Sequence, residues 1–430
     1  MITLELAFNY LKKFFLKYFF LIYLILYIGG PAPINLFLTI IAIFSLPLIF
    51  KKFKIILEDN FTILITLFFF YLFFKELYNY KNFNFDFFSF LRFYFVFLFI
   101  RFFINSISLN SIKYLIIIVV LDGIFQFTFG FNILGYEIYE SSRLSGFFDD
   151  EPIIGSFVMK FGSLFLLDLF DSNKSKNKYF LNIIYIFLVF TLVLVSNERM
   201  PFLQILFMLI IILFLFQIKY SFKNIFVILF ISLIVSCTFY FSETIKTRYM
   251  KSIYDLNQLL LDLKEDPELL NSKKSSLKDY YLNFNSGIEI WKSNYIFGSG
   301  FRYYNSNCNN FHKSSYLQYG CSTHPHSIVI ETLSDHGLVG LIILYSIFIY
   351  IFLFSYKFIP INNLWPFLSL FVVSFPFVTS QSLYSSYYGS IFWLFVYLCS
   401  FYTKLTKEKK KRSGSLGRTR TATGVNPTGF

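Results

Sequence analysis

The chain has 430 residues, 56% of them hydrophobic and 23% aromatic, yet only 15% charged. About a quarter of the residues in a soluble domain are charged, so an ordinary soluble globule is excluded. The net charge of +13 would suggest a nucleic-acid partner in a soluble protein, but here Lys and Arg sit between apolar blocks and near the C-terminus. That pattern reflects membrane topology rather than a ligand.

The apolar blocks run to roughly 15 to 20 residues, enough for a helix to cross about 30 Å of hydrocarbon. They predict spans over 14–30, 34–50, 61–74, 87–104, 112–130, 153–170, 179–196, 200–217, 224–241, 338–355, 365–380 and 389–402. The reading is an all-α polytopic membrane protein with about 12 transmembrane helices. The first span follows Lys12 and Lys13 like a signal peptide, but a second span comes at once and no small-residue cleavage site is clear. It is read as a retained anchor.

Placing the N-terminus inside assigns Lys12, Lys13, Lys17, Lys51, Lys52, Lys54, Arg101, Lys113, Lys174, Lys176, Lys178, Lys219, Lys223 and Lys357 to the cytoplasmic side. The short outer loops then hold Lys75, Lys81, Arg143 and Arg199. The positive-inside bias therefore puts both termini in the cytoplasm. Four segments result: residues 1–241 with spans one to nine, an extracytoplasmic loop domain over 242–337, the last three spans over 338–403, and a basic tail over 404–430 whose composition predicts disorder. Within the loop domain, Leu256, Leu259, Leu260 and Leu263 recur at helical spacing. They predict an amphipathic helix that lies on the membrane, caps the bundle or packs within the loop. No internal repeat, P-loop or dinucleotide fingerprint is present, and Gly298-Ser299-Gly300 is too short to serve as a phosphate loop.

All four histidines, His312, His324, His326 and His336, fall in the loop domain. Pro325 suits the first turn of a helix that Ser322 or Thr323 would cap, and Gly337 allows a break before the tenth span. A histidine at a helix N-terminus is favoured as neutral imidazole and can accept a proton, while the free N–H groups there can hold an anion such as a diphosphate. Capping or solvent-facing histidines are the plainer alternative. A metal set of His324, His326 and Asp335 or His336 lacks the usual zinc-enzyme spacing.

Arg143 and Arg199 fall in outer turns on the same side, and guanidinium forks suit phosphate oxygens. For Arg199 an ion pair to Glu198 or an interfacial position serves equally. Arg302 is a further candidate. Arg92 and Lys160 lie inside apolar blocks, where charge implies a partner or a wet cavity; Asp122 and Asp168 are available partners for Lys160. Trp291, Tyr303 and Tyr304 could stack on sugar rings. Cys308 and Cys321 share one loop in an oxidising compartment, so a disulfide between them is expected, contributing about 3 kcal/mol to local order. Cys237 and Cys399 read as packing residues of the spans.

The outer-loop motifs Arg143-Leu144-Ser145-Gly146 and Glu198-Arg199, the stretch from Ile290-Trp291 to Gly298-Ser299-Gly300 and the segment from His324 to Gly340 resemble the bacterial O-antigen ligase and O-antigen polymerase superfamily. The resemblance implies a GT-C-like membrane glycosyltransferase architecture. It also implies an inverting enzyme that joins an undecaprenyl-diphosphate-linked glycan to an acceptor sugar, such as lipid A core, without cofactor or metal. Its place would be the periplasmic face of the bacterial inner membrane, in lipopolysaccharide O-antigen biosynthesis. By position, His326 matches the family histidine with His324 assisting, Arg143 and Arg199 match the diphosphate-contacting arginines, and Arg302 would help. Ser327 stands where the family has Asn. The rival reading is a polysaccharide transporter or lipid-linked glycan flippase using Arg92 and Lys160, which would require mid-membrane charge and repeat symmetry.

Overall fold

A computed structural model describes residues 2–78, 84–138, 143–149, 151–169, 176–215, 240, 242–265, 276–311, 321–360, 363–376 and 381–422. Among them the chain is helical, with no sheet beyond an isolated pairing of Phe131 with Glu137. The helices are α1 (Ile2–Ile28), α2 (Pro31–Glu58), α3 (Asn60–Tyr78), α4 (Asp86–Phe103), α5 (Leu109–Phe129), α6 (Ile154–Leu169), α7 (Lys176–Val195) and α8 (Arg199–Leu215). There follow α9 (Glu243–Glu265), α10 (Ser276–Ser293), α11 (Tyr303–Phe311), α12 (Ile328–Phe358), α13 (Trp365–Ser374) and α14 (Tyr388–Ala422).

The expected spans fall on these helices where they are described, except 224–241, of which residue 240 alone is described. By length and apolarity α3, α5 and α12 suffice to cross a membrane, and shorter apolar stretches cover Pro31–Pro47, Phe180–Val195, Arg199–Phe214 and Trp365–Ser374. Large apolar side chains stay on the outer surface of two of them, as with Phe70 and Phe74 of α3 and Ile342 of α12. Such a surface suits lipid rather than water. Inside the bundle, Trp393 packs against Phe68, Phe69, Phe90 and Phe93 with ring centroids 5.2–6.2 Å apart. Each such pair contributes about 0.5–1.5 kcal/mol beyond area burial, which gives the aromatic composition a structural use.

Charge sorts to the ends of α3. At its start the Asp59 side chain accepts from Thr62 N (3.0 Å), capping the helix, and pairs with Arg101 of α4 (2.8 Å) and Lys407 of α14 (2.6 Å). Near its end, Lys75 donates to backbone carbonyls of the loop domain and of α12. Sixteen helical residues separate the two, about 24 Å, so the cluster holding Arg101 and Lys407 sits at the opposite end of α3 from the loop domain.

The break expected at Gly337 occurs as a kink inside α12, where Gly337 adopts φ 65° and ψ −168°. The freed backbone groups are taken up by the segment before α11: Ser299 N and Gly300 N donate to Ser334 O and Asp335 O (2.9 Å each), while Leu338 N and Val339 N donate to Tyr295 O (3.0 Å) and Ile296 O (3.1 Å). A Cβ on Gly298 or Gly337 would collide with the backbone of the other. Gly298-Ser299-Gly300 therefore splices a broken helix.

One local expectation is corrected. The helix after the histidines begins at Ile328 with Ser327 as its cap, accepting from Ile330 N at 3.4 Å, so Pro325 lies outside it and neither Ser322 nor Thr323 caps it. His326 at φ 55° is left-handed and cannot join the first turn. α14 continues to Ala422, and residues 423–430 lie outside the described residues.

Candidate active site

A turn and two loops bring the arginines and one histidine together. The α7–α8 turn passes through Asn197 at φ 62°, a conformation Asn tolerates. Leu144 N donates to Ser196 O (3.3 Å), tying the Arg143 segment to that turn. Gly155, in the first turn of α6, lets the same turn approach closely, since a Cβ there would meet Ser196 Oγ and Glu198 Oε1. On the other side, the first turn of α12 is tied to the segment before α14 by Glu331, which accepts from Ser382 Oγ, and by Thr332, whose hydroxyl lies 3.2 Å from that of Tyr384.

The result is a cavity of about 680 Å3 lined by Arg143, Lys160, Glu198, Arg199, Arg248 and His326, with Gln204, Tyr280, Gln381 and Tyr388 among its other polar walls. Ile253, Leu256, Ile391 and Phe392 line it with apolar surface. Arg143 Nη2 donates to Pro152 O (2.6 Å) and lies 3.8 Å from Glu198 Oε2. Its Nε is buried and makes no hydrogen bond among the described residues. Lys160 Nζ donates to Ser156 O (2.9 Å) and Ser156 Oγ (2.8 Å). The two carboxylates considered as its partners are engaged elsewhere: Asp168 pairs with Lys113, and Asp122 accepts from Ile133 N at 3.0 Å.

Burial pushes the Glu198 carboxyl up to about 7, against the opposing pull of Arg143, the Gly155 and Ser156 N–H groups and Lys160. Burial also lowers the Arg248 guanidinium from its ordinary value, and the neighbouring Arg199 and Arg143 add to that effect. Cations gathered against their own repulsion mark a seat for an anion. His326 faces the cavity with its ring 4.9 Å from Tyr280, edge to face, and 4.2 Å from the ring of His324. Burial holds the His326 imidazole below the usual histidine value, favouring the neutral ring that can accept a proton.

Other expected residues lie elsewhere. Arg302 pairs with Asp86 at 2.7 Å and is not among the cavity's lining. His324 is 7% exposed and backs His326 without reaching the wall. Cys308 and Cys321 are disulfide-bonded, with Cα atoms 5.8 Å apart. Trp291 Nε1 donates to Tyr295 O (3.0 Å), and Tyr304 is buried with Ile290 and Cys308; none of Trp291, Tyr303 and Tyr304 lines the cavity. Arg92 donates to Asn35 Oδ1 at 2.6 Å within the bundle. Cys399 is free and buried, whereas Cys237 and His312 lie outside the described residues.

Arg248, Tyr280, Gln381 and Tyr388 are site residues that sequence reasoning missed. Arg248 had a readable signal, since it stands near the start of the same helix whose Leu256 was singled out. In sequence Glu198 is a possible ion-pair partner for Arg199 and part of the Glu198-Arg199 motif; in the structure it bonds the start of α6 and faces Arg143.

The model of the O-antigen ligase family matches residues 184–345. The match runs from α7 into α12 and so contains Arg199, Arg248 and His326, while Arg143 and Lys160 precede it. It agrees with the superfamily to which the sequence motifs point. Curated proteins yield no match to the chain.

Proposed function

We propose that the protein is an inverting membrane glycosyltransferase of the O-antigen ligase or polymerase type, joining a glycan carried on undecaprenyl diphosphate to an acceptor sugar at the periplasmic face of the inner membrane. The observation that carries this reading is the convergence of Arg143, Arg199, Arg248 and His326 on one cavity. The O-antigen ligase match over residues 184–345 supports it independently.

In this mechanism the guanidinium groups hold the diphosphate, whose bond to the anomeric carbon breaks. The acceptor hydroxyl attacks the opposite face of the sugar and yields its proton to a ring nitrogen of His326. The arginines stabilise the charge gathering on the leaving oxygen, where fixed cations outperform mobile water. Tyr280, against His326, narrows the space in which the acceptor must sit. The apolar wall from Ile253, Leu256, Ile391 and Phe392 suits the isoprenyl chain.

The test is reconstitution: purified protein, lipid-linked glycan and acceptor should yield a new glycosidic product, and Arg199→Ala or His326→Ala should abolish it while the protein remains in the membrane. Undiminished transfer by both variants would reject the assignment. The product separates the two types, because a ligase mutant accumulates long lipid-linked chains and a polymerase mutant leaves single repeats.

A further inference from the structure

A helix N-terminus open to a cationic cavity is a ready seat for a phosphate. The start of α6 is placed for that purpose, but the seat is taken by the protein's own carboxylate. Glu198 Oε1 accepts from Gly155 N (2.7 Å) and Ser156 N (3.3 Å), and Oε2 faces Arg143 Nη2 at 3.8 Å. The Glu198 side chain is only 5% exposed. Gly155 is the residue that admits it, since a side chain there would strike Ser196 and Glu198. Arg143, Lys160, Arg199, Arg248 and His326 line the same cavity.

Four cations exceed what a diphosphate diester requires. Transfer also changes the ligand's charge: as the anomeric carbon–oxygen bond breaks, the leaving isoprenyl diphosphate keeps that electron pair and gains a negative charge, while the acceptor's proton passes to His326. A site tuned only for attraction would therefore hold its product more tightly than its substrate. A fixed carboxylate counters this, because repulsion grows with the charge on the ligand.

We propose that Glu198 is the charge-setting residue of the donor site, filling the anion seat at the start of α6 and offsetting one cation so that the spent isoprenyl diphosphate is released. The proposal rests on the glycosyl-transfer reading. Glu198→Gln tests it in the full-length protein, since the amide oxygen can still accept from Gly155 and Ser156 while the charge is gone. With farnesyl diphosphate as probe, the variant should bind about tenfold more tightly than wild type. Its transfer reaction should show a burst of first-turnover product followed by a slower steady rate, with kcat and donor KM both reduced. Glu198→Asp, which keeps the charge, should return the probe affinity towards wild type.

Equal or weaker binding of farnesyl diphosphate by Glu198→Gln, with no burst, overturns the proposal and leaves the transfer reading standing. A wild-type protein that neither binds the probe nor transfers glycan overturns that underlying reading instead.

Discussion

His326 and His336 stand ten positions apart in one segment, and the fold gives them opposite surroundings. His326 faces a cavity shared with Arg143, Arg199 and Arg248, has Tyr280 against its ring, and is held left-handed just ahead of a helix. His336 has no exposed surface, and neither ring nitrogen makes a hydrogen bond among the described residues. Its ring packs against Tyr384 (4.9 Å), and its carbonyl accepts from Tyr71 OH (2.7 Å) beside the Gly337 kink. A concentration of one residue type in sequence thus resolves into a position facing a cationic cavity and a position sealed in the packing, and solvent access with neighbouring charge tells them apart.

The largest effect expected from this contrast is on chemistry. His326→Ala should lower glycan transfer by about 10²–10⁴-fold, the usual worth of a positioned proton acceptor, with melting in detergent close to wild type. A His326 variant that melts early would place this residue with His336 on the structural side.

The kink beside His336 should respond in the opposite way. Gly337→Ala forces a side chain into the Ile296 and Gly298 backbone at a positive φ, which should cost about 1–3 kcal/mol or more. A drop in melting temperature with loss of folded yield would show it; an unaltered melt would remove the splice described here. Replacing Cys308 and Cys321 together by Ser should remove about 3 kcal/mol of local order. Limited proteolysis should then cut between α11 and α12 sooner, with transfer falling less than in His326→Ala.

Acidity should separate binding from chemistry. Burial holds His326 below its ordinary value of 6.5, so the loss of first-turnover chemistry on acidification should centre below that pH. Glu198 gains its proton as pH falls through about 7, which removes a negative charge facing Arg143, Lys160, Arg199 and Arg248. Affinity for the lipid-linked donor, whose diphosphate diester stays ionised, should therefore rise, and steady-state kcat fall as release slows, over a window in which first-turnover chemistry still holds. Glu198→Gln should abolish that rise, and a pH-independent KM in wild type would contradict the assignment. The smallest effect belongs to Arg302→Ala, which breaks a partly exposed ion pair with Asp86 worth at most about 1 kcal/mol; transfer should stay within twofold of wild type.

Arg302 also shows where a linear reading stops. On sequence it is a lesser candidate of the same kind as Arg143, an outer-loop arginine that follows glycines, but its carboxylate partner, Asp86, is 216 positions away. Arg248 shows the converse, since it lines the cavity and its one sequence signal is a place near the start of the helix that carries Leu256. Gly298-Ser299-Gly300 was legible as a motif only in outline, because its use depends on a second broken backbone that it must satisfy.

The amino-acid sequence alone determined that this is a helical membrane protein, where its apolar helices run, that a disulfide could close the loop ahead of His324, and the superfamily that its motifs resemble. These properties rest on composition, on apolar length against bilayer thickness, and on short contiguous motifs, all local along the chain. Tertiary structure alone decided which histidine meets the arginines, that Arg302 is withdrawn to Asp86, and that Glu198 occupies the start of α6. Those outcomes are set by burial and by charges brought within a few ångströms from distant helices, and neither quantity exists until the chain has packed.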